Sequence, residues 1–578
     1  MVISRILTYS RILSLSRSLA LGLAIGFSTF SPVAAKDTAP DIGKTEFGNY
    51  LAGRHAQLAS NPSFAIEYYK SALRKSPEKV SLLRQITALL VSEGKIAEAL
   101  IGAKRQLEIS DKESNLSRLI LALSEIKKQK YTKALDLLNQ LPEGGLNAFS
   151  LPMLKAWVLA GQKKYDEALK ILDQKTNNEG LEALFGIHGA LISELSGNTK
   201  NAIVRYKKTV KIRKNANLRI TILLGNLYER LGQTDNAKGV YDRYKLQRPE
   251  SPMLDSAYKR LKSGNKPDSN NQNARDGAAE ALFSLGFAIQ NQNPFQTVMY
   301  SQLAVYLRPS LTIASLLLAE SLDGNERLED ANKIYRKVSA DPAYAWTARL
   351  RIANNLDRLG NTDDAVRELR AMSIENMKRF DALYRMGSIL QGHKRYNEAS
   401  KAFEEAKARI PNFTAKHWSL HYSLGISYER IKKWPIAEKN FLKALELQPN
   451  HPSVLNYLAY SWVEQGLHLD RAQEMIRSAV KQRPRDGYII DSLGWVLYRL
   501  GDLKGAVKQL ERAVQIRPED PTINDHLGDI YWAVGRKNEA TFQWNRALTL
   551  EPERDQIPKI ELKLKSGLPE NTNNRKGI

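Results

Sequence analysis

The 578-residue chain contains no cysteine. Without a thiol there is no disulfide framework, no Cys-ligated zinc, no iron–sulfur cluster and no thiol nucleophile. There is also no cysteine to carry the lipid of a bacterial lipoprotein. Histidine is scarce at eight residues, which leaves little for acid–base or metal chemistry. Acidic residues are outnumbered, 62 Asp+Glu against 86 Lys+Arg, for a formal charge of +24. That surplus admits anionic partners without naming one. Charged residues at 26% and apolar residues at 43% are ordinary for a folded protein, which excludes wholesale disorder. No apolar run reaches the roughly 20 residues a membrane-spanning helix needs. Length alone, at roughly 150 residues per domain, suggests about three to four domains.

What is present begins with an address. Residues 1–35 carry Arg5, Arg11 and Arg17 and no acid, then the apolar stretch from Leu19 to Phe27. Val33-Ala34-Ala35 places small residues before Lys36, so cleavage is expected between Ala35 and Lys36. This is the order of a secretory signal peptide. An uncleaved N-terminal anchor and a mitochondrial presequence are the alternatives. Removing three arginines leaves +21 of the +24.

The body is repetitive. Gly494 recurs as Gly528, Ala506 as Ala540, Ala513 as Ala547 and Pro518 as Pro552, each after 34 residues. The same skeleton reads Leu424-Gly425-x-x-Tyr428, Ala437-x3-Phe441, Ala444, Pro449. It reads again as Leu224-Gly225-x-x-Tyr228, Gly232, Ala237-x3-Tyr241, Pro249, and at the start as Gly53, Ala65-x3-Tyr69, Ala72, Pro77. These residues resemble the tetratricopeptide repeat superfamily. The resemblance implies an all-α fold, an α-solenoid of tandem helix-turn-helix units.

Each landmark has a physical reason. Small residues such as Gly425 and Ala437, or Gly494 and Ala506, let paired helices approach closely. The aromatic four residues after the alanine, as in Phe441, lies one turn on along the same face and fills space between repeats. Proline ends the second helix because it cannot continue the hydrogen-bond ladder. Glycines 94, 197, 232, 360, 466, 501 and 535 mark the turns within pairs. Weaker repeats keep the same phase at Ala99, Ala134, Ala168 and Ala202, and at Ala331, Ala365 and Ala399. In total about fourteen helix pairs are expected.

One stretch breaks the pattern. Residues 263–276 are rich in Asn, Ser, Gly and Pro and lack apolar periodicity, so they read as a flexible linker. The expected organisation is a signal peptide (1–35), an N-terminal array (36–262), a linker (263–276), a C-terminal array (277–555) and a polar tail (556–578). In such arrays each pair rests on the next, so there is no single core.

Catalytic motifs are missing. Gly43-Lys44-Thr45 ends like a P-loop, but Thr38 stands where the first glycine belongs. No nucleophile elbow and no His-Glu-x-x-His motif occurs. His417 and His421 are spaced for a shared helix face, yet no further ligand accompanies them, so two ordinary histidines are expected. Glu404-Glu405 and Glu519-Asp520 read as solvated surface. No enzyme activity, metal or cofactor is expected.

The superfamily resemblance implies partner binding on the concave face, through first-helix positions 2, 5, 9, 12 and 13. By that register the groove set includes Tyr422, Ile426, Arg430, Asn456, Tyr460, Trp495, Tyr498, Arg499 and Trp532, rich in the types that dominate binding hot spots. The competing reading is that some of these aromatics pack between repeats. A chaperone-type carboxylate clamp is incomplete, because Tyr488 and Ser492 stand where basic residues belong.

The region from Gly277 to Pro552 is also similar to signal-bearing bacterial repeat proteins. These include the lipoprotein partner of a periplasmic carboxyl-terminal processing protease. The similarity rests on Gly277-Ala-Ala-Glu-Ala-Leu-Phe283 and Asp491-Ser-Leu-Gly-Trp-Val-Leu-Tyr498. The missing lipid cysteine is a departure from that pattern. The resemblance implies a non-catalytic periplasmic scaffold or adaptor for one or more proteins or peptides, in envelope assembly or proteolysis. A cell-wall or exported-polysaccharide accessory protein, with Lys127, Lys128, Lys130 and their like on an acidic glycan or anionic envelope surface, is the alternative. A membrane-surface or mitochondrial scaffold is a third. Nucleic acid is not expected in an exported protein.

Overall fold

The computed structural model describes residues 42–110, 114–176, 182–212, 217–249 and 251–568. The expected cleavage site at Ala35 and Lys36 lies outside the described residues. Among these residues there are thirty α-helices and no strand.

Six antiparallel pairs come first. They are α1 (Glu46–Leu58) with α2 (Pro62–Lys75), α3 (Val80–Ser92) with α4 (Ile96–Ile109), and α5 (Asn115–Lys127) with α6 (Tyr131–Asn139). Then come α7 (Asn147–Gly161) with α8 (Tyr165–Lys175), α9 (Glu182–Leu195) with α10 (Thr199–Ile212), and α11 (Leu218–Arg230) with α12 (Thr234–Gln247). A single helix follows, α13 (Asp255–Ser263).

Eight more pairs make the second array. They begin with α14 (Ala274–Ile289) and α15 (Pro294–Leu307), α16 (Thr312–Gly324) and α17 (Leu328–Val338), α18 (Ala345–Arg358) and α19 (Thr362–Glu375), and α20 (Asp381–Gly392) and α21 (Tyr396–Ala408). They continue with α22 (Trp418–Arg430) and α23 (Trp434–Leu447), α24 (Pro452–Glu464) and α25 (Leu469–Gln482), α26 (Gly487–Arg499) and α27 (Leu503–Ile516), and α28 (Pro521–Ala533) and α29 (Lys537–Thr549). The last helix is α30 (Ile557–Ser566). No helix among the described residues is long and apolar enough to cross a membrane.

The repeat landmarks work in pairs. In each of six repeats the first-helix glycine and a large side chain 16 residues later are in direct apposition. A Cβ on Gly425 would lie 2.5 Å from the ring of Phe441, and one on Gly528 2.5 Å from Trp544. Gly53 meets Tyr69, Gly225 meets Tyr241, Gly387 meets Phe403 and Gly494 meets Leu510 in the same way. The aromatic therefore caps its own pair as well as reaching the next: Phe441 also lies 5.2 Å from the ring of Tyr457 on α24. The intervening alanines Ala237, Ala437, Ala506 and Ala540 are fully buried.

The turns within pairs need a left-handed residue. Thirteen of the fourteen place one residue at φ between +57° and +84°, including all seven expected glycines. Ser60, Gln129, Lys163, Glu326, Lys394 and Lys432 fill the remaining turns without the freedom of glycine. The second helices end near Pro77, Pro484, Pro518 and Pro552, as proline requires. Arginines 28 residues further on donate to these terminal carbonyls: Arg105 to Pro77 O (2.9 Å), Arg546 to Pro518 O (3.2 Å), and Arg512 to Pro484 O. Part of the basic surplus is thus structural.

The two arrays are not independent. The first pair of the second array lies in the concave trough of the first. Helix α14 rests on α7 and touches α5 and α9, while α15 crosses α3 and α5. All of these are first helices, the ones that line a repeat trough. A continuous apolar core runs from Ala56 to Leu317 across the junction. Gln302 Nε2 donates to Ser92 O (3.2 Å), Lys127 Nζ to Tyr306 O (2.8 Å), and Arg327 pairs with Glu93 (2.6 Å). Arg219 on α11 makes a two-bond pair with the fully buried Glu280 of α14, at 2.7 and 2.5 Å.

Two sequence expectations change here. The segment expected as a flexible linker is tied down. Asn270 is buried and donates to Glu194 Oε2 (3.1 Å) and Leu223 O (3.0 Å), and Arg308 donates to Asn270 O (2.8 Å). Asn273 caps α14, which starts at Ala274, inside the expected linker. The polar tail is also different: residues 557–566 are a helix whose Ile560 is buried, with Leu564 and Leu568 against the same core. Residues 569–578 lie outside the described residues.

Candidate partner-binding trough

With α14 and α15 seated on the first helices of the first array, the concave face of the second array is the more open of the two. Its first helices are α16, α18, α20, α22, α24, α26 and α28. The structure treats seven of the nine expected groove residues in three ways, and Arg430 and Asn456 stand apart from these.

Some pack between repeats. The Tyr422 ring is 6.1 Å from Phe441 and 6.0 Å from Tyr457, and burial pushes its phenol up to about 12. Ile426 packs against the same core. Tyr460 is half-buried, and burial, then the carboxylates of Glu464 and Asp491, raise its phenol well above the ordinary range.

Others are gathered into one polar and aromatic cluster on α24, α26 and α28. Trp495 Nε1 donates to Glu464 Oε1 (2.5 Å), and Arg499 stands 3.3 Å from the same oxygen. The Trp495 ring lies 5.3 Å from Tyr498 and stacks 4.3 Å from His526. His526 Nδ1 is 3.0 Å from Asp491. Burial alone would lower this imidazole, but attraction and a hydrogen bond from Asp491, with Asp529 and Asp525 beyond, hold it up to about 9. Arg430 is half-exposed, 3.5 Å from Glu429. Asn456 Oδ1 is buried without a partner among the described residues.

The last repeat is covered. Trp532 faces Trp544 at 5.4 Å, and Gly567 presses against its indole. Lys563 of α30 binds Asp525 and Asp529, both at 2.8 Å. Trp532 is therefore part of a cap and not of an open surface.

The histidine pair is engaged locally. His421 Nδ1 is 3.0 Å from Asn440 Oδ1, and Thr414 N donates to His417 Nδ1 (2.9 Å). Among the described residues no group of three or more His, Asp or Glu side chains is placed to hold a metal. Thr45 of the Gly43-Lys44-Thr45 stretch caps α1, accepting from Gly48 N (3.1 Å).

One region of the trough was missed by sequence reasoning. A cavity of about 520 Å³ opens on α16, α18 and α20, lined by Asp323, Arg351, Asn354, Asn355, Arg358, Arg385, Ser388 and His393 among others. The signal existed: Arg351 and Arg385 are 34 residues apart, each two residues before the small residue of its helix, Ala353 or Gly387. They occupy position 6, which the superfamily register does not include.

Comparison with known proteins agrees with the geometry. The family profile described as TPR repeat matches residues 494–535, and profiles described as Tetratricopeptide repeat match 223–251 and 380–413. These segments of the chain are tetratricopeptide repeats. The chain is 27% identical over 164 residues to TPR repeat-containing protein PA4667 of Pseudomonas aeruginosa. That match spans 28% of this chain and 27% of the relative's length.

Three solved structures are similar to it. The APC/C hetero-tetramer Cut9-Hcn1 matches at 14% identity and TM-score 0.37, covering 91% of this chain and 96% of that one. A tetratricopeptide repeat protein from Parabacteroides merdae matches at 16% and 0.37, covering 44% and 97%. Yeast Tom70 matches at 15% and 0.28, covering 90% and 95%.

Proposed function

We propose that this chain is a non-catalytic, exported adaptor that receives a segment of a partner protein along its C-terminal trough, in envelope assembly or proteolysis. Tetratricopeptide repeats support a protein-interaction scaffold in general. The observation that selects the second trough is the position of α14 and α15, which are seated in the first. That pair covers much of α5 and α7, leaving beside it a cavity of about 390 Å³ lined by Leu116, Leu119, Asn147 and Tyr300 among others. The concave face carries an open cavity on α16, α18 and α20 and a polar and aromatic cluster on α24, α26 and α28. Export rests on the residue order of 1–35.

The test is site-specific photo-crosslinking in the native host. A photoreactive residue at Ser388, in the trough, is expected to capture a defined protein. The same residue at Lys401, on the exposed face of α21, is expected to capture none. Equal capture from both positions sinks the trough assignment. Export is tested by N-terminal sequencing of the protein from the envelope fraction, with Lys36 as the expected first residue. A chain found in the cytosol overturns export, and an envelope chain that retains Met1 overturns cleavage.

A further inference from the structure

The cavity beside α14 and α15 belongs to both arrays. Helix α14 rests on α7 and α15 crosses α3 and α5, and the start of α15 and the entry to α7 stand apart. The space between them is about 390 Å³. Leu116 and Leu119 of α5 and Leu146 before α7 line it from the first array, and Phe295, Met299 and Leu303 of α15 from the second. Leu119 and Leu303 are buried, whereas Phe295 is 41% exposed and marks the mouth. Apolar side chains around a void lack the contacts of a packed core, so an apolar guest gains by filling it.

The lining carries no charge. No Asp, Glu, Lys, Arg or His is among the described residues around the cavity. An ion entering it would give up hydration without meeting a counter-charge. The polar groups are few and unspent. Tyr300 lines the cavity, and its phenol makes no hydrogen bond among the described residues. The phenol oxygen keeps contact with solvent, unlike the sealed polar atoms of the core. Burial pushes the phenol up to about 12, so it remains an O–H donor at neutral pH. The side chains of Asn115 and Gln296, which also line the cavity, make no hydrogen bond among the described residues. Small-molecule sites span about 300–1,000 Å³. A cavity of about 150 Å³ holds one benzene, so this one suits a guest of roughly fifteen carbon atoms.

We propose that the cavity between the arrays binds a small uncharged molecule with an apolar body and one acceptor oxygen, a ketone or an ester, its body between Leu119 and Met299 and its oxygen accepting from the Tyr300 hydroxyl. The inference goes beyond the adaptor function and does not depend on the C-terminal trough. Because the guest touches both arrays, its binding stabilises their junction.

The test uses the full chain and prodan, an uncharged naphthalene ketone whose emission moves to the blue in apolar surroundings. The protein is expected to shift prodan emission to the blue, and methyl decanoate to displace the probe. Decanoate, the same chain with a charge, should displace it roughly tenfold less well. Phe295→Asp, at the exposed mouth, and Met299→Trp, which fills the space, should each weaken prodan about tenfold with unchanged helicity by circular dichroism. Tyr300→Phe should weaken prodan several-fold, the loss of one hydrogen bond. Prodan should also raise the melting temperature of the parent. Absence of a blue shift overturns the proposal. A blue shift unmoved by both Phe295→Asp and Met299→Trp overturns it too, because the probe then sits elsewhere. Equal displacement by decanoate and its methyl ester overturns it as well, because the site then does not require an uncharged guest. Capture of a defined protein by a photoreactive residue at position 295, with no binding of prodan, assigns the cavity to a partner's side chain instead.

Discussion

Gly277 of α14 lies flat against the indole of Trp157 on α7, so closely that a Cβ on the glycine would be 2.2 Å from Trp157 Cδ2. The two residues are 120 positions apart, one in each array. Their apposition joins the two arrays face to face, with Trp157 Nε1 donating to the buried His188 Nδ1 (3.1 Å) behind it. Gly277→Ala is expected to destabilise the chain by about 1–3 kcal/mol, the usual penalty for overpacking a core. Urea denaturation followed by circular dichroism measures it. A variant as stable as the parent means α14 is not seated on α7.

The buried pair beside it makes a second test. Glu280→Ala strands Arg219, whose guanidinium has no other carboxylate among its hydrogen-bond partners. Breaking a buried pair from one side costs on the order of 3–5 kcal/mol. Replacing both residues, Arg219→Met with Glu280→Leu, should recover much of that loss. A single variant with the stability of the parent contradicts the burial of the pair.

The turn residues predict gains as well as losses. Lys163 and Lys432 hold φ values of +62° and +60°, where a side chain is strained. Changing each to glycine should raise stability by about 1 kcal/mol, and Gly501→Ala should lower it by a similar amount. Differential scanning calorimetry reads both signs. The reverse order refutes the left-handed turn as a common requirement.

The buried His188 and the half-buried His526 should give the stability curve opposite slopes. His526 is held up to about 9, above its ordinary 6.5, so its contribution is complete below pH 6.5 and is lost as pH rises through 9. Burial lowers His188 to about 4, so its contribution is complete above pH 6.5 and is lost as pH falls towards 4. His526→Asn should flatten the alkaline limb of melting temperature against pH and leave the acid limb in place. His188→Gln should do the converse. An alkaline limb unchanged in His526→Asn contradicts the ion pair with Asp491.

The cap predicts a local effect. Lys563→Ala leaves Asp525 and Asp529 facing each other without their shared cation. Hydrogen exchange should speed up over residues 557–566 and in α28, with little change in α20. Uniform exchange across the chain would mean that Lys563 does not hold α30 in place.

The repeat architecture was legible because it is local. Gly425 and Phe441, or Gly528 and Trp544, are 16 residues apart in sequence and meet within one helix pair, so periodicity alone reveals them. The seven turn glycines were legible for the same reason, while Lys432 and Gln129 were not, since their strained φ is imposed by the helices on either side. The groove set was only partly legible. Register placed Trp495 and Tyr498 together, but it could not show that Trp532 lies under α30. Nor could it find the cavity on α16, α18 and α20, which exists only where three first helices come together.

What the sequence determined by itself is the unit: two helices, a left-handed turn and a glycine under a large side chain, repeated in phase. Each of these follows from contacts within about 34 residues. What only the tertiary structure decided is which trough is open. That depends on Gly277 meeting Trp157, 120 residues away, on α14 packing against α5, α7 and α9, and on Asn270 satisfying a buried carbonyl and a carboxylate. A helix buried on nearly every side, as α14 is, has no polar stripe to show which surfaces cover it. Composition registers the lack of a stripe, but only long-range packing selects the partner, and here the partner is the chain's own first array.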